Sequence, residues 1–358
     1  MKKRNLFTYL RWTMLALVPL SIGIHYLTPE HAVLLFVTSA LGILPLAGMM
    51  GHATEALAHR LGSGIGGILN ATFGNAAELI IAIVALKAGQ IEMVKASITG
   101  SIIGNVLFVL GAAMLVGGIG RRRQTFNAQA AGTSASMMLL AVAALILPTF
   151  FHLMVRNATI EGIHLLSSAI AVVLLIAYLF GLFFTLKTHK HLYTDAEEVV
   201  EDTPVSTNLG GAMATLLGAT VLIAVLSEYL VASAEHAGKA LGLSDAFIGV
   251  MVIAVVGNAA EHSTAILVAR KDKMNLAITI AVESSRQIAL FVAPILVLVG
   301  LAINQPMTLE FSILEVAAVG LAVMIMNSIA QDGESNWLEG MMLLAMYLIL
   351  GITFYFVP

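Results

Sequence analysis

The chain has 358 residues, 59% of them hydrophobic and only 11% charged, with a formal net charge of −3 and no cysteine. So little polar surface cannot clothe a water-soluble core of this size, so a polytopic, all-α membrane protein is expected, with lipid as its surroundings and no nucleic-acid partner. Disulfides, thiolate metal sites and a cysteine nucleophile are excluded.

Met1 to Arg4 is basic, but the apolar run after it lacks a small-residue cleavage signature before Thr28-Pro29-Glu30. It reads as the first span and not as a removed signal peptide. Runs long enough to cross about 30 Å of hydrocarbon give eleven helices, at 11–27, 31–50, 62–87, 92–119, 127–150, 160–187, 209–234, 244–269, 275–302, 308–329 and 336–357. With the N-terminus in the cytoplasm, thirteen Lys and Arg residues fall in inside segments and four outside, which is the bias expected of an inward N-terminus. Arg121-Arg122-Arg123 reads as a topology anchor, and the glycines of "GSGIGGIL" as helix-packing residues rather than a phosphate loop. Short loops and no cleavable presequence suggest a prokaryotic inner (plasma) membrane.

The one long polar connector, Thr188 to Asn208, follows the sixth span and carries five acids between Asp195 and Asp202. It reads as a solvated cytoplasmic linker and divides the chain into a first span with its N-terminal end (1–30), five spans (31–187), the linker (188–208) and five more spans (209–358).

Each set of five contains nearly the same hexapeptide in its second span, "GNAAEL" at Gly74 to Leu79 and "GNAAEH" at Gly257 to His262. An odd number of spans per set inverts the second copy. A longer match, "SIIGNVLFVLG" from Ser101 with "ESSRQIALFVA" from Glu283, puts a second amide at nearly the same offset: 105 − 75 = 30 residues after the motif Asn in one copy and 287 − 258 = 29 in the other. Inverted repeats around a midplane site are a transporter design.

Asn75 with Glu78, and Asn258 with Glu261, are three apart and share a helical face. The Gly-Asn step before each acid is a natural helix break, with Gly74 and Gly257 as hinges, and freed carbonyl oxygens there are tolerable in lipid only where they line a cavity. Inversion is expected to bring the two carboxylates together in an oxygen-only cage with the amides of Asn75, Asn105, Asn258 and Gln287, and hydroxyls of Thr72, Ser101, Ser284 and Ser285 as further candidates. Flexible oxygen ligands suit calcium better than magnesium. A lone carboxylate at the bilayer centre costs at least about 2.5 kcal/mol, and two in one empty site repel, so two states escape the penalty: both protonated, or both ionised around one divalent cation. A site that must be neutral to move exchanges protons for metal. Glu55 and Glu228 read either as secondary waypoints or as membrane-edge residues. His262, at i+1 from Glu261, points elsewhere and reads as a packing or gating residue.

The stretches beginning "GNAAELIIAIV" and "GNAAEHSTAIL", each running on to its second amide, resemble the two signature repeats of the calcium/cation antiporter superfamily, in its cation/proton exchanger branch. The resemblance covers nearly the whole chain: one extra helix, five plus five helices, and an acidic linker. It implies that Glu78 and Glu261 are the metal and proton carboxylates, Asn105 and Gln287 their helix partners, and the first helix peripheral. It also implies calcium export from the cytosol driven by protons, with no cofactor, and assembly as a homotrimer. One departure stands out: the family pattern Gly-Ser-Ser and a neutral residue before Gln-Ile-Ala is here Glu283-Ser284-Ser285-Arg286-Gln287. At i, i+3 these charges are expected to pair; if Glu283 faces the cavity instead, it adds a third carboxylate.

Three other readings compete with a proton-driven exchanger. A sodium-driven exchanger of the same superfamily carries an acid where Gln287 stands, so the neutral amide leans toward protons. A cation channel repeats its filter by oligomer symmetry rather than inverted copies, and an intramembrane metalloenzyme needs a nucleophile near its acids, of which none is evident.

Overall fold

The computed structural model describes residues 12–28, 30–155, 159–189 and 209–357; most of the acidic linker, including Asp195 to Asp202, lies outside the described residues. Twelve helical segments follow one another: α1 (Leu17–Leu27), α2 (Ala32–Phe73), α3 (Ala76–Lys87), α4 (Ile91–Gly118), α5 (Ala128–Met154), α6 (Ile160–Thr188), α7 (Leu209–Leu241), α8 (Asp245–Gly257), α9 (Ala259–Arg270), α10 (Met274–Ala302), α11 (Ile313–Ala330) and α12 (Trp337–Tyr355). Among the described residues eight helices are long and apolar enough to cross a bilayer, or nine if α8 and α9, bent by 64° at their junction, count as one.

The eleven expected spans are therefore not matched one for one. The spans expected at 31–50 and 62–87 are instead one helix running from Ala32 to Phe73 and a short one, α3. The residues from Ala47 to Leu61 are mostly Ala, Leu, Met and Glu, strong helix formers that carry the helix past Gly48 and Gly51. Pro45 sits inside α2 without ending it.

The chain divides into two compact units, and each takes pieces from both halves of the sequence. The first comprises residues 12–97 with 209–260. In it α2 packs along α7, which also covers α3. Leu35, Ile43, Leu46 and Met50 of α2 bury with Ile223, Leu226 and Leu230 of α7. α1 joins this layer through Val18 and Ile24, and His25 stacks on Tyr229 with ring centroids 4.1 Å apart.

The second unit comprises residues 98–189 with 261–356. There α5 packs on α11 and α10, α6 on the second half of α10, and α12 on the end of α4. The α4–α12 crossing is set by two glycines. A Cβ at Gly111 would lie 2.9 Å from the Gly340 carbonyl oxygen, and one at Gly340 would lie 2.5 Å from the Leu115 nitrogen. Small residues let membrane helices approach this closely where lipid supplies no hydrophobic drive. At one end of the unit, a two-residue antiparallel pair, β1 (Gln124–Thr125) with β2 (Glu334–Ser335), ties two connections together. Arg121 reaches Asp272 at 3.2 Å and Arg123 reaches Glu334 at 2.6 Å at this same end.

Among the described residues π-helical turns interrupt α4 at Gly104–Val109, α8 at Ile248–Ile253 and α10 at Ile288–Val292, and a fourth, Phe184–Thr188, ends α6. Such turns release the regular i→i−4 ladder and gather at functional sites.

Candidate functional site

The repeated motif breaks its helix at the same residue in both copies. Asn75 (φ −102°, ψ 22°) separates α2 from α3, and Asn258 (φ −91°, ψ 7°) separates α8 from α9. Both lie near the sparsely populated bridge region, where many functional residues sit. The break is a residue or two long and not an extended unwound stretch. Neither motif glycine needs the left-handed region: Gly74 has φ −56°, and Gly257 is the last residue of α8 and is not among the glycines with positive φ.

In the first unit, Asn75 is fully buried and Glu78 lies in the first turn of α3, buried to 9% exposure. A carboxylate in a first turn faces the positive end of the helix dipole, which offsets part of its burial cost. Asn258 donates from its side-chain nitrogen to the Ala254 carbonyl at 2.9 Å, and so ties itself to the end of α8. One residue before it, Gly257 faces the Glu78 side chain.

In the second unit, Glu261 occupies the first turn of α9, the repeat-related place. It is half-buried; its Oε2 is closed off from solvent and has no hydrogen-bond partner among the described residues. The Ser284 hydroxyl is hydrogen-bonded to this carboxylate. Ser284 accepts in turn from the Asn105 side-chain nitrogen at 2.9 Å, and the Asn105 oxygen lies 3.1 Å from His262 Nε2. With Asn105 donating to Ser284, its oxygen is an acceptor, so His262 carries the proton on Nε2. Every donor in this chain then points toward Glu261, a polar network that is fully connected along its length.

The partner amides sit at matching features. Asn105 is in the π-turn of α4, and Gln287 is the last residue before the π-turn of α10. Ser101 and Ser285 are buried, and the Ser285 hydroxyl is spent on the Ala281 carbonyl of its own helix at 3.0 Å. Thr72 is exposed. Of the outlying acids, Glu55 faces His52 at 3.7 Å on a largely exposed surface and Glu228 is exposed on α7.

Glu283 and Arg286 form an ion pair. Arg286 is buried to 1% exposure, and Ser134 of α5 donates to the other Glu283 oxygen at 2.8 Å. The pair is locally neutral and ties α10 to α5.

Sequence reasoning missed the bond from His262 to Asn105. Spacing shows only that His262 faces away from Glu261; the partner lies 157 residues away in sequence. The available signal was generic: a polar ring in an apolar helix needs a partner.

A family model described as "Sodium/calcium exchanger protein" matches residues 31–187 and 211–356. This chain belongs to that family. The family is one of exchangers, which are transporters and not enzymes. The chain is 46% identical to the Ca(2+)/H(+) antiporter of Aphanothece halophytica, over 96% of each sequence. It is 47% identical to the Ca(2+)/H(+) antiporter of Synechocystis sp., again over 96% of each. Among solved structures it resembles native YfkE, with a TM-score of 0.83 and 39% identity over 97% of this chain and all of that one.

Proposed function

We propose that this protein is a secondary transporter that moves Ca2+ out of the cytosol in exchange for H+, with Glu78 and Glu261 as the exchange carboxylates. Each is ionised when the cation is carried and protonated on the return. The observation that carries this reading is the doubled acid: each Glu stands in the first turn after a helix broken at the motif Asn, the same local construction in two copies. A carboxylate held in an apolar interior is tolerable when a cation or a proton neutralises it, and that requirement couples the two ions. Identity of more than two fifths to proteins named Ca(2+)/H(+) antiporters supports calcium and protons as the substrates.

Asn75, Asn258, Asn105 and Gln287 supply amide oxygens or hold them in place, and alternating exposure of the two carboxylates completes the cycle. The two five-span repeats, 31–187 and 209–358, are the inverted halves. The N-terminus lies in the cytoplasm. The excess of Lys and Arg in the segments assigned inside supports this; the Arg121 to Arg123 connection lies at one end of the second unit with Asp272 and Glu334.

Calcium uptake into proteoliposomes, read with a pH dye in the lumen under imposed pH and sodium gradients, tests the proposal. Uptake driven by the pH gradient, with release of lumenal protons, is the expected result. Uptake that needs sodium and ignores pH would assign the exchange to sodium instead.

A further inference from the structure

We infer that Gly257 is a positioning residue for Glu78: the missing side chain at 257 is the space that fixes where the Glu78 carboxylate points, and hence which size of divalent cation it accepts. The inference rests on the exchange role proposed for Glu78.

Gly257 does not need to be glycine for its backbone. It closes the helical segment Ala254–Gly257 and lies outside the set of positive-φ glycines. By helix propensity alone, alanine would be preferred there. Space gives the reason instead. A Cβ at 257 would stand 2.9 Å from Glu78 Cγ, 3.5 Å from its Cδ and 3.7 Å from its Cα. The colliding atom is the middle of the side chain and not its free end, so the clash cannot be relieved by a small swing of the carboxylate. Ala77, Ile81 and Ala82 around Glu78 are buried, so a retreat of the α3 backbone would have to displace packed neighbours. A methyl group at 257 therefore turns Glu78 into another rotamer, which carries its carboxylate to a new place while leaving every charge unchanged. A cation selected by the spacing of its oxygen ligands registers that displacement. The glycine of the second repeat thus serves the acid of the first.

The test is a double-mutant cycle between Gly257→Ala and Glu78→Ala, read by thermal unfolding in detergent, with transport measured for Gly257→Ala alone. Gly257→Ala is expected to lower the Tm in the wild-type background and not in the Glu78→Ala background, where the colliding atoms are gone. In transport it is expected to raise the KM for Ca2+ at least tenfold and to change the ratio of KM values for Ca2+ and Sr2+, a ratio that simple loss of folded protein leaves unchanged. An equal fall in Tm in both backgrounds, or a wild-type KM and ratio, would overturn the inference. Should Gly257→Ala fail to fold, folding of the double variant supports the contact and its failure refutes it. The role of Glu78 is tested apart: normal exchange by Glu78→Gln removes the functional reading while the stability coupling still reports the contact.

Discussion

Asn105 links His262 to Ser284, accepting from one and donating to the other at 2.9 Å, and Ser284 passes the chain on to Glu261. Glu261, the second carboxylate of the proposed exchange, is thus held by a chain of three buried polar side chains. Ser284→Ala removes the hydroxyl nearest the acid. A hydrogen bond to a charged group contributes about 1.5–3 kcal/mol, so the apparent affinity for Ca2+ is expected to fall by roughly tenfold or more, with folded protein retained. Calcium binding measured by isothermal titration checks this; unchanged affinity would remove Ser284 from the support of Glu261.

Glu78→Gln and Glu261→Gln are each expected to abolish exchange while leaving a monodisperse, folded protein. The amide keeps the shape of the acid but can neither release a proton nor balance the charge of the cation. Flux assays on matched amounts of reconstituted protein decide it. Near-normal exchange in either variant would take that residue out of the cycle.

Glu283 and Arg286 are expected to act as a pair. Arg286→Gln leaves Glu283 beside Ser134 without its counter-charge, and breaking a buried pair costs about 3–5 kcal/mol. The double variant Glu283→Gln with Arg286→Gln should regain most of that stability. Thermal unfolding of the wild type, the single and the double variants measures the coupling. Equal stability of single and double would show that the pair is not a unit.

Gly340→Val is expected to lose the α4–α12 crossing, since even a Cβ at 340 would stand 2.5 Å from the Leu115 backbone nitrogen. The prediction is a low yield of folded protein by size-exclusion chromatography. A well-folded Gly340→Val would mean that the two helices part without cost.

The doubled acids and the helix breaks were legible because all their determinants are local. Asn, Glu and the preceding Gly lie within five consecutive residues, and the same string occurs twice. The length of α2 was not legible, because a hydrophobicity minimum around His52, His59 and Arg60 looks like a loop in sequence while the intervening Ala, Glu and Leu residues simply continue the helix. The π-turns at Asn105 and after Gln287 share no composition signal, since one contains Gly104 and Asn105 and the other is wholly apolar. The His262–Asn105–Ser284 chain joins the consecutive helices α9 and α10 through Asn105 of α4, 157 and 179 residues away, and no spacing rule reaches that far. What the second motif glycine touches left no trace in the sequence either: Gly257 has a helical backbone and the Glu78 side chain against its open face.

The central claim is that the same two carboxylates hold either the cation or protons. It is tested most directly by adding Ca2+ to purified protein in weakly buffered detergent solution and following proton release with a pH dye. The account predicts protons released as calcium binds, and none from the variant carrying both Glu78→Gln and Glu261→Gln. Calcium binding without proton release in the wild type, or equal release from the double variant, would contradict it.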